Sequence, residues 1–338
     1  MCIVVTGGSG FIGANFILDW LQSEPWRIIN IDKRNDEKNL GTLSGNKLYQ
    51  FIKADISDSK TLSETLKSVR PRVVVNFAAE SHVDRAIENP KPFIDSNVVG
   101  TYQLLQSSLT YWDKLSVEEK TEFVFVHIST DEVFGSLSKY DMPFSEGSNY
   151  APNNPYSASK AASDHLVRAY NKTYNFPTII THCSNNYGPY QLPEKLIPLI
   201  ISNCLMEKAI PVYGNGRQIR DWVFVNDHCA AIKLIIKKGE RGKTYNIGGG
   251  GECTNLKIVH NICSILDNLK PSETGKSYAS LITHVKDRPG HDTRYAINNT
   301  KIQSELGWFP SSDLTTGLKK TVEWYLNNEN WLLSNLKK

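Results

Sequence analysis

The sequence predicts an α/β architecture: a doubly wound parallel sheet, helices on both faces, then a smaller C-terminal substrate-binding lobe. Three observations carry it. Short β-branched runs recur at helix-length intervals through the first half, a glycine cluster follows the first run, and the alternation breaks after about residue 182. Strands that alternate with helices imply parallel strands joined by crossover helices.

The strand candidates are Cys2 to Thr6, Arg27 to Ile31, Tyr49 to Ile52, Val73 to Phe77, Phe123 to Ile128 and Thr178 to Cys183. Between them, Ala14 to Leu21, Ser59 to Val69, Lys91 to Trp112 and Tyr156 to Tyr174 read as helices. From Ser184 the chain runs through SNNYGPYQLPEKL, PVYGNGRQIRDW, GGGGECTNL and DRPGHDTRYAI, too rich in Pro, Asn and Gly to continue the pattern. The expected division is 1–182 and 183–338. Pieces within 221–250, such as Val223 to Val225 and Tyr245 to Ile247, are expected to return to the sheet.

At 338 residues and 40% hydrophobic, the chain has the length and composition for an ordinary globular core. Its 38 basic and 35 acidic residues nearly cancel, which argues against nucleic acid or an anionic membrane as partner. Six cysteines without C-x-x-C spacing fit reduced thiols in the cytoplasm. No run approaches the ~18 apolar residues of a membrane span. The histidines are scattered, so no metal is expected.

Gly7-Gly8-Ser9-Gly10-Phe11-Ile12-Gly13 lies between the first strand and the first helix, the order a Rossmann-type dinucleotide site requires. Gly7, Gly10 and Gly13 let the backbone approach a pyrophosphate, and the helix N-terminus supplies N–H donors. The second strand ends at Asp32, near the expected ~20 residues beyond the glycines. An acid there accepts from ribose hydroxyls and repels a 2′-phosphate, which favours NAD over NADP. Lys33 and Arg34 stand beside it.

The run FVFVHIS ends in Thr130-Asp131-Glu132, and Tyr156 and Lys160 follow at a spacing of four, behind Pro152 and Pro155. On a helix, Tyr156 and Lys160 share one face. A free tyrosine titrates near ~10, so a phenolate base at neutral pH needs a shift of ~3 units. One cation about 4 Å away at an effective dielectric of ~20 supplies roughly that much. Alone, the pair has a bland reading as an exposed helical Tyr and Lys, and the acids as a solvated strand end. Adjacent strand residues face opposite sides, so Asp131 and Glu132 serve one ligand only if the strand ends or bulges there.

Thr6-Gly7-x-x-Gly10-x-x-Gly13, Ser129-Thr130 and Tyr156-x-x-x-Lys160 together resemble the extended short-chain dehydrogenase/reductase family. Thr130-Asp131-Glu132 narrows the resemblance to its nucleotide-sugar 4,6-dehydratases. AAESHVDR, YSASKAASDHLVRAY, NNYGPYQLPEKLIPL, GRQIRDW, YNIGG and DRPGHDTRYAI extend it over essentially the whole chain. Related epimerases and decarboxylases are similar at the glycines and Tyr/Lys but lack the acid pair.

The resemblance implies NAD as cofactor, a homodimer, and a nucleotide-sugar substrate, with dTDP-glucose the first choice and UDP-glucose the rival. It implies that Tyr156 takes the C4 hydroxyl proton with Thr130 bonded to the C4 oxygen, that Glu132 takes the C5 proton, and that Asp131, protonated, assists the C6 hydroxyl. It also assigns the cofactor to Phe11, Ile12, Asp32, Lys33, Arg34, Asn35, Asp55, Ile56, Ala78, Ala79, Glu80, Ser81, Ser96, Tyr156, Lys160 and Asn186. Here the chain reads DKRNDEKNL after the second strand, where family members read like DKLTYAGNL. The nucleotide sugar falls to Ser81, Thr130, Asn185, Lys195 and Leu196, with Pro211, Val212 and Tyr213 near its base, Arg220 and Arg288 at its phosphates, and Asn255 and His291 nearby. The alternative class is a dinucleotide-sensing regulator on the same fold, which would be expected to lose the Tyr/Lys or acid groups.

Overall fold

The structure is a computed structural model that describes residues 1–35, 37–287 and 289–336. Seven parallel strands form its centre: β1 (Cys2–Thr6), β2 (Arg27–Asp32), β3 (Tyr49–Lys53), β4 (Val73–Asn76), β5 (Val124–Thr130), β6 (Thr178–Cys183) and β7 (Thr244–Ile247). From one edge to the other they run β3, β2, β1, β4, β5, β6, β7, the order of a doubly wound dinucleotide fold. The direction of winding reverses between β1 and β4, so a crevice opens beyond the carboxyl ends of those two strands.

Both faces are buried, which is why these strands read as continuous apolar runs. In β1, Ile3 and Val5 face one core while Cys2 and Val4 face the other. The first core is closed by the helices Phe11–Ser23 and Val225–Lys238, the second by Ser59–Val69, Thr101–Trp112 and Pro155–Tyr174. Each fully buried Val, Leu or Ile contributes roughly 1.5–3 kcal/mol relative to exposure.

A third core lies outside the sheet, among the helices Leu196–Leu205, Asn255–Leu269 and Leu314–Asn327. Three two-stranded ribbons accompany it. Of the two pieces expected to rejoin the main sheet, Thr244–Ile247 does so beside β6. Trp222–Phe224 instead pairs with Asn185–Tyr187, because the edge of β6 is taken by β7 and the chain turns into a helix at Val225.

The helix expected over Lys91 to Trp112 is present but not uniform. Ile94–Gly100 winds wider, as a π-helix, a distortion frequent at functional sites. Within it Ser96 faces the crevice, and Asn97 accepts from the Glu80 N–H at 2.8 Å and donates to its carbonyl at 3.0 Å. The loop after β4 is thereby pinned.

Candidate active site

A cavity of about 1040 Å³ occupies the crevice, lined at one end by the glycine turn and at the other by Thr130, Glu132, Tyr156 and Lys160. Every residue expected at the cofactor lies on its wall, from Gly7 through Asp32 and Asp55 to Asn186. The arrangement fits NAD. Gly7 has φ +71°, and a Cβ there would lie 2.5 Å from the Ala78 nitrogen; a Cβ on Gly13 would lie 2.5 Å from the Gly7 carbonyl oxygen. The helix that follows begins at Gly10 without a side-chain cap, leaving its first N–H groups open to an anion. We expect Gly7→Ala to lose NAD binding and at least about 1–3 kcal/mol of stability, read by calorimetry and a melting curve; wild-type NAD affinity would contradict the assignment.

Asp32 accepts from the backbone N–H of Ser9 (3.0 Å) and of Arg34 (2.9 Å). Burial raises its carboxyl from the ordinary value, and those two N–H groups pull it back. It thus holds the turn, on the wall of the cavity. Lys33 pairs with Glu80 at 2.7 Å rather than neutralising Asp32 outright. In Asp32→Asn, NAD affinity is expected to fall by about tenfold to a hundredfold, with discrimination against NADP lost; an unchanged NAD-to-NADP affinity ratio in titration calorimetry would remove Asp32 as the selector.

β5 ends at Thr130, and Asp131–Phe134 forms a single 3₁₀ turn. That turn resolves the alternation problem, since the two acids no longer sit on opposite faces of a strand. Thr130 Oγ1 accepts from the Glu132 N–H at 3.3 Å and donates to Asp131 Oδ1 at 3.4 Å. Gly135 leaves the turn at φ +88°, where a Cβ would meet the Ala151 carbonyl at 2.4 Å.

Asp131 is only 1% exposed, and its Oδ2 has no partner among the described residues. Burial, then Glu132 and Asp221, push its carboxyl well above the usual range. Burial also raises Glu132, but Arg220 and Lys195 oppose the rise. The environments therefore favour a proton on Asp131 more strongly than on Glu132, the sense of split that acid and base roles require.

Asn154 caps the helix Pro155–Tyr174 with a reciprocal Asn154/Ser157 box and Pro155 at its first position. Tyr156 and Lys160 are consequently fixed one turn apart, and Phe93 packs edge-on against Tyr156 at 6.4 Å. Here the geometry departs from the simplest expectation. Burial, Glu132 and Cys183 push the Tyr156 phenol well above its usual value, while Thr130 opposes this by hydrogen bonding. Lys160 Nζ donates to the Ile128 carbonyl at 2.8 Å; burial lowers its ammonium from the ordinary lysine value, and Asp164 and then Cys183 oppose the fall. Lowering the phenol's pKa therefore takes Lys160 together with the positive nicotinamide ring.

Beyond this cluster the remaining expected positions are distributed. Lys195 lies on the cavity wall and donates to the Ser81 carbonyl at 2.7 Å. Asn185 lies on the same wall, with a buried Oδ1 that has no partner among the described residues; Asn255, outside that wall, has another. Tyr213 and His291 meet edge-on at 6.4 Å, whereas Pro211 is half-buried and Val212 is buried in the third core. Leu196 begins the helix after Lys195 and packs on that core. Arg220 is buried, its guanidinium 4.3 Å from the Tyr295 ring centre and donating to the carbonyls of Ile219 (2.8 Å) and Asp292 (3.0 Å). Arg288 lies outside the described residues.

The sequence reading passed over Asn97, Asp221 and Asp292, and the buried set His127, Asp164 and His182. Asp164 carried a usable signal, because it follows Lys160 by four residues on the same helix face. The six cysteines are free and buried. Among the described residues no group of His, Cys, Asp or Glu is placed to hold a metal, and no helix is long and apolar enough to cross a membrane.

Residues 4–321 match the family model described as GDP-mannose 4,6 dehydratase. The chain belongs to this family of nucleotide-sugar 4,6-dehydratases. Among its members, a dTDP-glucose 4,6-dehydratase of Xanthomonas campestris pv. campestris is 51% identical over 332 residues, covering 97% of this chain and 94% of that protein. The solved dTDP-glucose 4,6-dehydratase of Bacillus anthracis, in complex with NAD, is 43% identical with a TM-score of 0.88, covering 99% of each chain. That of Streptomyces venezuelae, also with NAD bound, is 39% identical with a TM-score of 0.89, covering 99% of this chain and 100% of that one.

Proposed function

We propose that the chain converts dTDP-glucose into dTDP-4-keto-6-deoxyglucose and water, with NAD as a cofactor regenerated in each cycle. The observation that carries this reading is the pair Asp131 and Glu132 on one turn, with Glu132 on the wall of the dinucleotide cavity together with Tyr156 and Lys160 and Asp131 buried behind it. The membership in the family and the similarity to dTDP-glucose 4,6-dehydratases support the same substrate.

When bound, NAD would supply hydride transfer, away from C4 and back to C6. Tyr156 removes the C4 hydroxyl proton while Thr130 holds the oxygen. The C4 ketone makes the C5 proton acidic, and Glu132 takes it. Asp131 donates its proton to the C6 hydroxyl, which leaves as water. Glu132 gives its proton back to C5 as hydride returns to C6, and the proton left on Tyr156 makes up the one that Asp131 gave, so the site is reset. Neither proton nor electron is lost overall, so no external oxidant is needed.

The nucleotide part falls to the lobe built around the third core, with Arg220 and Arg288 at the phosphates, Tyr213 and His291 near the base, and Asn185, Lys195 and Asn255 between. Ile94, Val99, Tyr102 and Tyr174 are large apolar side chains 42–50% exposed on the helices that this reading pairs across a two-fold axis in a homodimer. A cytoplasmic location is consistent with the six free thiols.

Incubation with dTDP-glucose, UDP-glucose and UDP-glucuronate in parallel tests the reading by product mass. Loss of one water from dTDP-glucose, without net NADH, is expected. Unchanged mass, or loss of carbon dioxide from the glucuronate, would overturn it.

A further inference from the structure

Lys160 is 3% exposed, and a buried ammonium keeps its charge only beside a compensating anion. Burial raises the carboxyls of Asp131 and Glu132, and the carboxylate that acts on the Lys160 charge is Asp164. Asp164, one turn further along the helix, has the opposite surroundings. Its Oδ2 accepts from Ser129 Oγ (2.8 Å), Tyr150 Oη (3.0 Å) and His182 Nε2 (3.0 Å). Against complete burial, His127 and then His182 hold its carboxyl far below the usual range.

The ring of His127 lies between the two charges: Nε2 is 3.4 Å from Lys160 Nζ and 3.4 Å from Asp164 Oδ1. Its Nδ1 faces the Asn76 amide at 3.2 Å, and Asn76 Oδ1 accepts from Thr6 at 2.7 Å. That network assigns the imidazole proton to Nε2, which faces Ser163 Oγ at 3.3 Å as well as Asp164 Oδ1 at 3.4 Å. Burial lowers His127 to about 4, so at neutral pH the ring is an uncharged spacer. The other group acting on Lys160 is Cys183 on β6, whose thiol burial pushes up to about 12; Tyr156 stands one turn earlier on the same helix. Asp164 itself faces His127 and Ser129 on β5, His182 on β6, Tyr150 from the preceding loop and Lys160 on its own helix. Arg168, a turn beyond, donates to Tyr150 Oη at 3.1 Å.

We infer that Asp164 is a positioning residue for the redox step: its buried carboxylate is the anion that keeps the Lys160 ammonium charged beneath Tyr156, across the His127 ring. The inference rests on the redox reading of Tyr156 and Lys160. A Tyr/Lys pair that has lost one proton exists either as phenolate with ammonium, which can act as base, or as phenol with amine, which cannot. An anion nearer the lysine favours the first form. Removing it depletes that form and makes every neighbouring group release its proton at lower pH.

Asp164→Asn preserves shape and deletes the charge. With dTDP-6-deoxyglucose, which has no C6 hydroxyl to expel, C4 oxidation is read alone as NADH absorbance. We expect the plateau rate to fall at least about tenfold and both limbs of the pH profile to move roughly one unit toward acid, with bound NAD unchanged. Asp164→Glu, which keeps the anion, retains the wild-type limbs. A profile for Asp164→Asn that is only scaled, with its limbs in place, overturns the inference.

A reading independent of turnover and of any variant's folding comes from ¹⁵N-lysine NMR of the holoenzyme, with Lys160→Met used to assign the signal. Lys160 is expected to be an ammonium at about pH 8, and a neutral amine there overturns the inference. Should Lys160 prove charged while no nucleotide sugar is oxidised, the charge pair stands and the proposed reaction fails.

Discussion

Glu132→Gln is expected to lower product formation by about 10²–10⁴-fold while leaving C4 oxidation intact. The substitution conserves shape in a turn whose backbone is held by Thr130. What it removes is the acceptor for the C5 proton. Mixing the variant with dTDP-glucose in D₂O should therefore raise NADH absorbance, with no deuterium entering C5 and no water lost. Normal deuterium entry would exclude Glu132 as the base. The pH dependence has a definite sign. Glu132 works as an anion, so the rate rises with pH through its raised pKa; Asp131 works protonated, so the rate falls once pH exceeds its own raised value. The two acids sit on one turn, so the limbs belong to the pair. Asp131→Asn should differ from Glu132→Gln by permitting C5 exchange while blocking loss of water.

Tyr156→Phe should lower turnover by a comparable factor of about 10²–10⁴, but at an earlier stage. Neither NADH nor C5 exchange is expected, because without the C4 ketone the C5 proton is not acidic. The ring keeps its packing against Phe93, so folding and NAD content should be unchanged. Glu132→Gln and Tyr156→Phe thus separate by the step at which they stop. Exchange at C5 in Tyr156→Phe would contradict the proposed order of events.

The sheet was legible because its strands are buried on both faces and therefore continuously apolar, while Gly7, Gly13 and Asp32 occupy positions that backbone geometry and ribose recognition demand. The strand limits shifted by a residue or two, as at β5, where the ladder continues to Thr130. Less legible was anything set by long-range packing. Trp222–Phe224 has the composition of a sheet strand, and only the occupancy of the β6 edge by Thr244–Ile247 decides its partner. The site showed the same division. Tyr156, Lys160, Asp131 and Glu132 stand in local runs, bland by spacing alone, and it is the family resemblance that singles them out. The anion that compensates Lys160 involves β5, β6 and a loop at Tyr150, brought together only by the fold.

The central claim is that one cavity oxidises C4, expels water across C5 and C6, and returns the same hydrogen to C6. Turnover of dTDP-glucose carrying deuterium at C4, in ordinary water, tests it most directly. The account predicts product one water lighter, with the deuterium retained and located at C6. Loss of the label to solvent, or its retention at C4, would contradict it.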